Sequence, residues 1–195
     1  NTSSTLPNSY KSVESIVALE RFSSNMYTVI SAPPSSFISL YRSGDQRRTK
    51  FYKRVTSSTY SLLKGGNDEF SSSFRTSEIY LIAAEAAARM GHTSDAIDHI
   101  LPLMQKRLNT SAYNTTLNLI NNMSEEELIK EVMDERTREL AYEGHRWFDL
   151  RRTTRPSLTR TYDGKTYTLQ PENYTMRFPA GAVEANPEIE IWPAR

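Results

Sequence analysis

The sequence predicts a mostly α fold, made of an αα-hairpin and a further long helix, with short β-hairpins and long loops between them. Three observations carry this. Apolar residues recur at helical spacing from Ser77 to Met90 and stop at Gly91, where a helix-ending glycine belongs. Ser124, with Glu127 three residues on, writes a capping box ahead of a charged amphipathic run. Asp163-Gly164 lies between Thr/Tyr-rich segments, a favoured two-residue hairpin turn.

Composition narrows the function classes. With 195 residues, 37% hydrophobic and 24% charged, the chain can bury a core and reads as one domain over 1–195. The net charge of +1 provides no overall field for nucleic acid or an anionic membrane, so no nucleic-acid partner is expected. Basic clusters at 47–53 and 151–155 read as solvated or ion-paired faces. Without cysteine there are no disulfides, no thiol nucleophile and no cysteine-held metal. No window approaches the roughly 18 apolar residues of a membrane-spanning helix. The first residues lack the charged-then-apolar order of a signal peptide. Sequons at Asn1, Asn109, Asn114, Asn122 and Asn173 matter only in a eukaryotic secretory route.

In chain order, residues 1–12 are polar. The run from Val13 to Ser31 carries β-branched residues and reads as one or two strands. Pro33-Pro34 breaks it, and Ser35 caps a short helix that Gly44 ends. Phe51, Lys53 and Val55 alternate with Tyr52 and Arg54, as in a half-exposed strand. Gly65 to Asp68 is a turn, and no Gly-Lys-Ser/Thr follows to make it a phosphate loop.

Within the helix from Ser77 to Met90, Ile79, Ile82, Ala83, Ala86 and Met90 share one face, expected to be the packed one. Thr93 or Ser94 caps its partner, whose face is Ile97, Ile100, Leu101, Met104 and Leu108, with Pro102 as a kink or restart. The pair makes the tetratricopeptide-like αα-hairpin, present once and not as a repeat series. His92, Asp95 and His99 read as solvated surface rather than a metal pair. Asn109 to Asn122 is polar and reads as a loop. After the hairpin around Asp163-Gly164, the proline-rich tail from Pro171 to Arg195 should lie extended, pinned by Phe178, Val183 and Ile189.

The densest chemistry lies between Ser124 and Arg152. Leu128, Ile129, Val132, Met133, Leu140 and Ala141 form an apolar stripe, and Gly144 interrupts it before a second short helix. Glu135, Glu139, Glu143 and His145 are candidates for metal ligands or acid/base groups. The competing reading is a scaffold, in which these carboxylates pair with Arg136, Arg138, Arg146 and Arg151. No His-Glu-x-x-His pattern accompanies them, which favours the scaffold. Trp147 and Phe148 are expected to be core anchors.

The run from Glu135 to Arg152, ERTRELAYEGHRWFDLRR, resembles the signature of the SusD/RagB family of Bacteroidetes surface nutrient-binding lipoproteins. RTSEIYLIAAEAAARMG (Arg75 to Gly91), FPAGAVEANPEI (Phe178 to Ile189) and the Asp-x-Arg segment LYRSGDQRRTKFY (Leu40 to Tyr52) are similar to its other segments, in family order. Where the family usually has Ile-Pro, this chain has Phe178-Pro179. The resemblance implies a SusD-like C-terminal region, with export signal, lipidated cysteine and repeat region lying outside this sequence. It also implies that Glu135, Arg136, Glu139, Leu140, Glu143, Gly144, Arg146, Trp147, Asp149 and Arg151 form a structural motif, not a catalytic one.

The implied function is glycan or peptide capture at the outer-membrane surface, with delivery to a SusC-like TonB-dependent transporter. No cofactor and no metal are implied, and the membrane is reached only through a lipid anchor. The family fixes no ligand motif, so ligand candidates come from aromatic-plus-arginine composition alone: Tyr41, Phe51, Tyr52 and Tyr60. Two alternatives stand beside this. One is an adaptor that binds protein through the helical-hairpin groove between Ser77 and Asn109. The other is a glycoside hydrolase with a carboxylate pair, which needs one acid raised in pKa. No Gly-x-Ser-x-Gly context supports a serine nucleophile.

Overall fold

The computed structural model describes residues 9, 11–20, 33–64, 70–176, 178–186 and 188–189. The chain divides into two compact units, Asn1–Glu143 and Gly144–Arg195. The expected turn at Gly65 to Asp68, and most of the run after Glu20 up to Pro33, lie outside the described residues.

In the first unit, β1 (Ser15–Glu20) pairs antiparallel with β4 (Phe70–Arg75), and β2 (Tyr52–Arg54) with β3 (Tyr60–Leu62). Two single turns of helix, α1 (Ser35–Ile38) and α2 (Arg47–Lys50), precede β2. Pro34, not Ser35, precedes α1, without a side-chain cap. Four longer helices follow: α3 (Thr76–Arg89), α4 (Thr93–Arg107), α5 (Thr110–Ile120) and α6 (Glu125–Glu139). None of the described helices is long and apolar enough to cross a membrane.

The αα-hairpin is α3 and α4. Gly91 takes φ 77°, its N–H donates to Ala88 O at 3.1 Å, and the His92 N–H donates to Ala87 O at 2.9 Å. That pair of bonds closes the last turn of α3 and needs a residue tolerant of positive φ. Ile100, Met104 and Leu108 are buried as expected, with Ile97 and Leu101 packed at the rim. Pro102 is accommodated inside α4.

The face of α3 is the first correction. Leu81, Ala84 and Ala88 are buried, with Ser77 and Glu85, whereas Ile79, Ile82 and Met90 are 44%, 50% and 69% exposed. The alanine-rich run is apolar nearly all round, so periodicity alone does not choose a side. Here the small side chains face α4 and α6, which allows the helices to approach closely. The common core joins Ala84 and Ala88 to Ala96, Ile100 and Met104, and to Ile120, Leu128 and Val132.

The second correction is α5, read above as a loop. Asn109 caps it, its side chain accepting from the Ala112 N–H at 2.9 Å, and Thr116 and Ile120 are buried. The capping box of α6 is present as expected: Glu127 N–H donates to Ser124 Oγ at 3.3 Å and Ser124 N–H to the Glu127 carboxylate at 2.8 Å.

In the second unit Gly144, at φ 88°, precedes α7 (His145–Arg152). The hairpin β5 (Leu158–Tyr162) and β6 (Lys165–Leu169) turns through Asp163 and Gly164, both at positive φ (50° and 70°), as a primed turn requires. Trp147 is half-buried and stacks on Tyr174 at 5.0 Å. Tyr174 is fully buried, its hydroxyl donating to Pro156 O at 2.9 Å. Phe148, by contrast, is 63% exposed and Phe178 52%, so neither anchors a core. The tail is not wholly extended: Pro171–Tyr174 is a 3-10 turn and Ala180–Ala185 forms α8.

Candidate functional site

Glu131, Glu135 and Glu139 follow at four-residue steps along one face of α6, and Glu143 continues beyond its end. The face is turned inward: Glu139 is 0% and Glu135 1% exposed. Glu139 sits at the centre. It accepts from Arg47 (2.9 Å), from Arg75 (2.6 Å) and from Arg107 through Nε and Nη2 (3.0 and 2.8 Å). Glu135 accepts from Arg47 at 2.6 Å and Arg138 at 2.9 Å. Glu143 accepts from Arg75 at 2.8 Å and pairs with Lys64 at 2.5 Å.

Around these, Glu14 bridges Arg75 and Arg107, Asp45 holds Arg47, and Glu131 bridges Arg42 and Arg138. Carboxylates at 14, 45, 131, 135, 139 and 143 thus meet cations at 42, 47, 64, 75, 107 and 138, and the lattice is balanced. Burying an ion costs several kcal/mol unless opposite charge and hydrogen bonds answer it, and both do here.

Of the arginines within the motif, Arg138 joins the lattice and Arg136 lies 3.8 Å from Glu78 on α3. Arg146 and Arg151 are exposed residues of α7 in the second unit, where buried Asp149 pairs with Arg152 at 2.8 Å. The main cations arrive from α2, β4 and the end of α4. Two further carbonyl contacts lock the end of α6: Lys64 Nζ and Arg75 Nη2 both donate to Glu139 O, at 2.6 and 2.8 Å.

The electrostatics follow from this geometry. Burial opposes ionisation of Glu139, but Arg107, Arg75 and Arg47 overcome it and hold the carboxyl well below its ordinary value. Burial likewise opposes Glu135 and Glu143; Arg47 and Arg138 lower the first, Lys64 and Arg75 the second. Lys64 is itself pushed down to about 8 by burial, with Glu143 pulling the other way. Chemically, Glu135, Glu139 and Glu143 are ionised carboxylates locked to cations, not acids held protonated to donate. Among the described residues, no group of three or more His, Asp or Glu is placed to hold a metal ion.

The aromatic ligand candidates lie beside the lattice. Tyr41, Phe51 and Tyr52 are 3%, 1% and 2% exposed and pack with Ile38. Tyr41 and Tyr52 stand edge to face at 5.5 Å with hydroxyls 2.8 Å apart, and the Tyr41 hydroxyl reaches Arg138 O at 2.8 Å. Lys64 Nζ lies 4.5 Å from the Phe51 ring centre. These three rings present no face to a ligand; burial also raises the Tyr41 and Tyr52 pKa values. Tyr60 packs at the edge of the cluster and stays half-exposed.

An open cleft of about 340 Å³ lies instead between the loop at 42–44 and α5, lined by Arg42, Gly44, Asn109, Ser111, Thr116 and Leu119 among others. The loop is tied down: Asn109 N–H donates to Gly44 O and Gln46 N–H to Arg107 O, both at 2.9 Å. Gly44 has φ 82°, and a Cβ there would come within 2.7 Å of Ala112 Cβ. Only glycine permits that approach. The cleft was not legible once 109–122 was read as a loop, although Tyr113, Leu117 and Ile120 keep helical spacing behind Asn109.

The sequence model of the SusD family matches residues 22–193. No curated protein matches the chain significantly. Among solved structures, the chain is similar to a Bacteroides vulgatus protein assigned to sugar binding by name, with 22% identity and a TM-score of 0.57 over 82% of this chain and 37% of that one. A SusD-like carbohydrate binding protein from Bacteroides vulgatus has 24% identity and a TM-score of 0.47, over 70% and 32%. A SusD-like protein from Bacteroides fragilis has 19% and 0.47, over 68% and 30%. The chain thus spans about a third of the length of these structures, and the first likeness is one of fold. On a family match that takes in the hairpin, the α6 lattice and the tail, the chain belongs to the SusD family.

Proposed function

We propose that this chain is part of a nutrient-capture protein at the bacterial outer-membrane surface. It binds glycan, with peptide as the alternative ligand, and delivers oligosaccharide to a SusC-like TonB-dependent transporter. The observation that carries this is the family match over residues 22–193. The fold it shares with a Bacteroides protein named for sugar binding supports the same ligand class.

The reading is of a binder rather than an enzyme. A carboxylate-pair hydrolase needs one acid kept protonated near neutral pH. Glu135, Glu139 and Glu143, the acids that drew attention in the sequence, are instead held below their ordinary values by paired cations. Calorimetric titration against a glycan panel tests the proposal. Binding to at least one glycan is expected, and binding to neither glycan nor peptide overturns the reading for this chain.

A second reading, protein–protein contact, is favoured by the outer face of α3. Ile79, Tyr80, Ile82 and Met90 are all at least 41% exposed there. An Ile79→Asp/Ile82→Asp variant tests it: loss of transporter capture with glycan binding intact assigns this face to protein contact, and unchanged capture removes it from that role.

A further inference from the structure

We propose that the cleft between the 42–44 loop and α5 is a binding site for a neutral sugar of one or two rings, seated on Thr116. The inference rests on the carbohydrate-binding reading and adds the place and the charge class. A volume of about 340 Å³ lies at the lower end of small-molecule clefts.

Its walls are set before any ligand arrives. The Gly44–Asn109 and Gln46–Arg107 backbone bonds fix the loop, and the close approach of Gly44 to Ala112 removes slack between loop and helix. Arg42 is held by Glu131 at 2.6 Å and by Thr116 Oγ1 at 3.4 Å. A cleft that needs no ordering loses less affinity to conformational entropy.

The chemistry selects an uncharged polyol. The charge of Arg42 is already answered by Glu131, so an acidic ligand gains no free cation. Thr116 is 1% exposed and lines the cleft. Its hydroxyl oxygen accepts from Arg42, which leaves the hydroxyl proton to donate to a group in the cleft. A sugar oxygen seated there would accept it. Ser111 and the amide of Asn109 offer further hydrogen bonds at the rim, and Leu119, 52% exposed, offers an apolar patch to the C–H face of a pyranose.

The test is calorimetric titration of the chain with neutral di- and trisaccharides of glucose, mannose and xylose, and with digalacturonate as the charged counterpart. Three variants accompany it: Thr116→Val, which deletes the donor at constant shape; Thr115→Trp, which fills the cleft from an exposed position; and Asn118→Trp, an exposed control on the same helix outside the lining. The expected result is that a neutral sugar binds, that Thr116→Val and Thr115→Trp each weaken it by roughly 10-fold or more, and that Asn118→Trp leaves it unchanged. Unchanged binding in both cleft variants, or tighter binding of digalacturonate than of every neutral sugar, overturns the cleft assignment and leaves the carbohydrate-binding reading standing. If no sugar of this set binds the unaltered chain, the cleft assignment falls, and the carbohydrate-binding reading falls with it only when the wider glycan and peptide titration is also blank.

Discussion

Along α6, the first turns bury Leu128 and Val132 among aliphatic side chains of α3 and α4, whereas the last turns bury Glu135 and Glu139 among guanidiniums from α2, β4 and the end of α4. Both stretches are almost completely shielded from water. The apolar half gains free energy roughly in proportion to area and imposes little direction. The charged half gains little net free energy, because desolvation offsets attraction, but each bond has a required angle and length. The apolar half therefore holds the helices together, and the charged half fixes where three segments distant in sequence must end. A motif rich in acids can in this way be a brace rather than a reaction centre.

The two halves of α6 should respond most differently to pH. The folded carboxyls of Glu135, Glu139 and Glu143 lie below the ordinary value of 4.5, so the unfolded chain takes up protons first as pH falls. The stability they supply is present above about pH 4.5 and is lost as pH drops through their folded values. Urea midpoints measured between about pH 7 and 3 should fall steeply below 4.5. A level profile would remove the charged half from the account.

Next, Glu139→Ala leaves Arg47, Arg75 and Arg107 short of their shared partner and should cost about 3–5 kcal/mol in urea unfolding. A loss below about 1 kcal/mol would mean that the lattice does not brace the fold. In the apolar half, Leu128→Ala should cost about 2–4 kcal/mol by transfer plus cavity. It should do so equally at pH 7 and pH 4, whereas the Glu139→Ala cost should shrink on acidification. Smallest is Ser124→Ala, which removes one bond of the capping box at the exposed start of α6 and should cost about 1 kcal/mol.

What the sequence made legible was local. The capping box at Ser124, the Gly91 stop and the Asp163-Gly164 turn are each written within a few residues and appear as read. The tetratricopeptide-like hairpin was legible for the same reason. The identity of the partners was not, because Arg47 lies 92 residues and Arg75 64 residues from Glu139, and no local pattern encodes such a pairing. The α3 face failed because a run that is apolar on nearly every side carries no directional signal. Tyr41, Phe51 and Tyr52 are packed rings, and composition does not separate a packed ring from a presented one. The polar Asn/Thr content of α5 masked the helix, and with it the cleft.

Site-resolved carboxyl 13C NMR titration of Glu135, Glu139 and Glu143 decides whether the α6 carboxylates brace the fold or serve as an acid/base centre. As a brace, all three titrate below the ordinary 4.5. A midpoint above that value at any one of them would reveal a carboxyl held protonated, and the brace would be refuted.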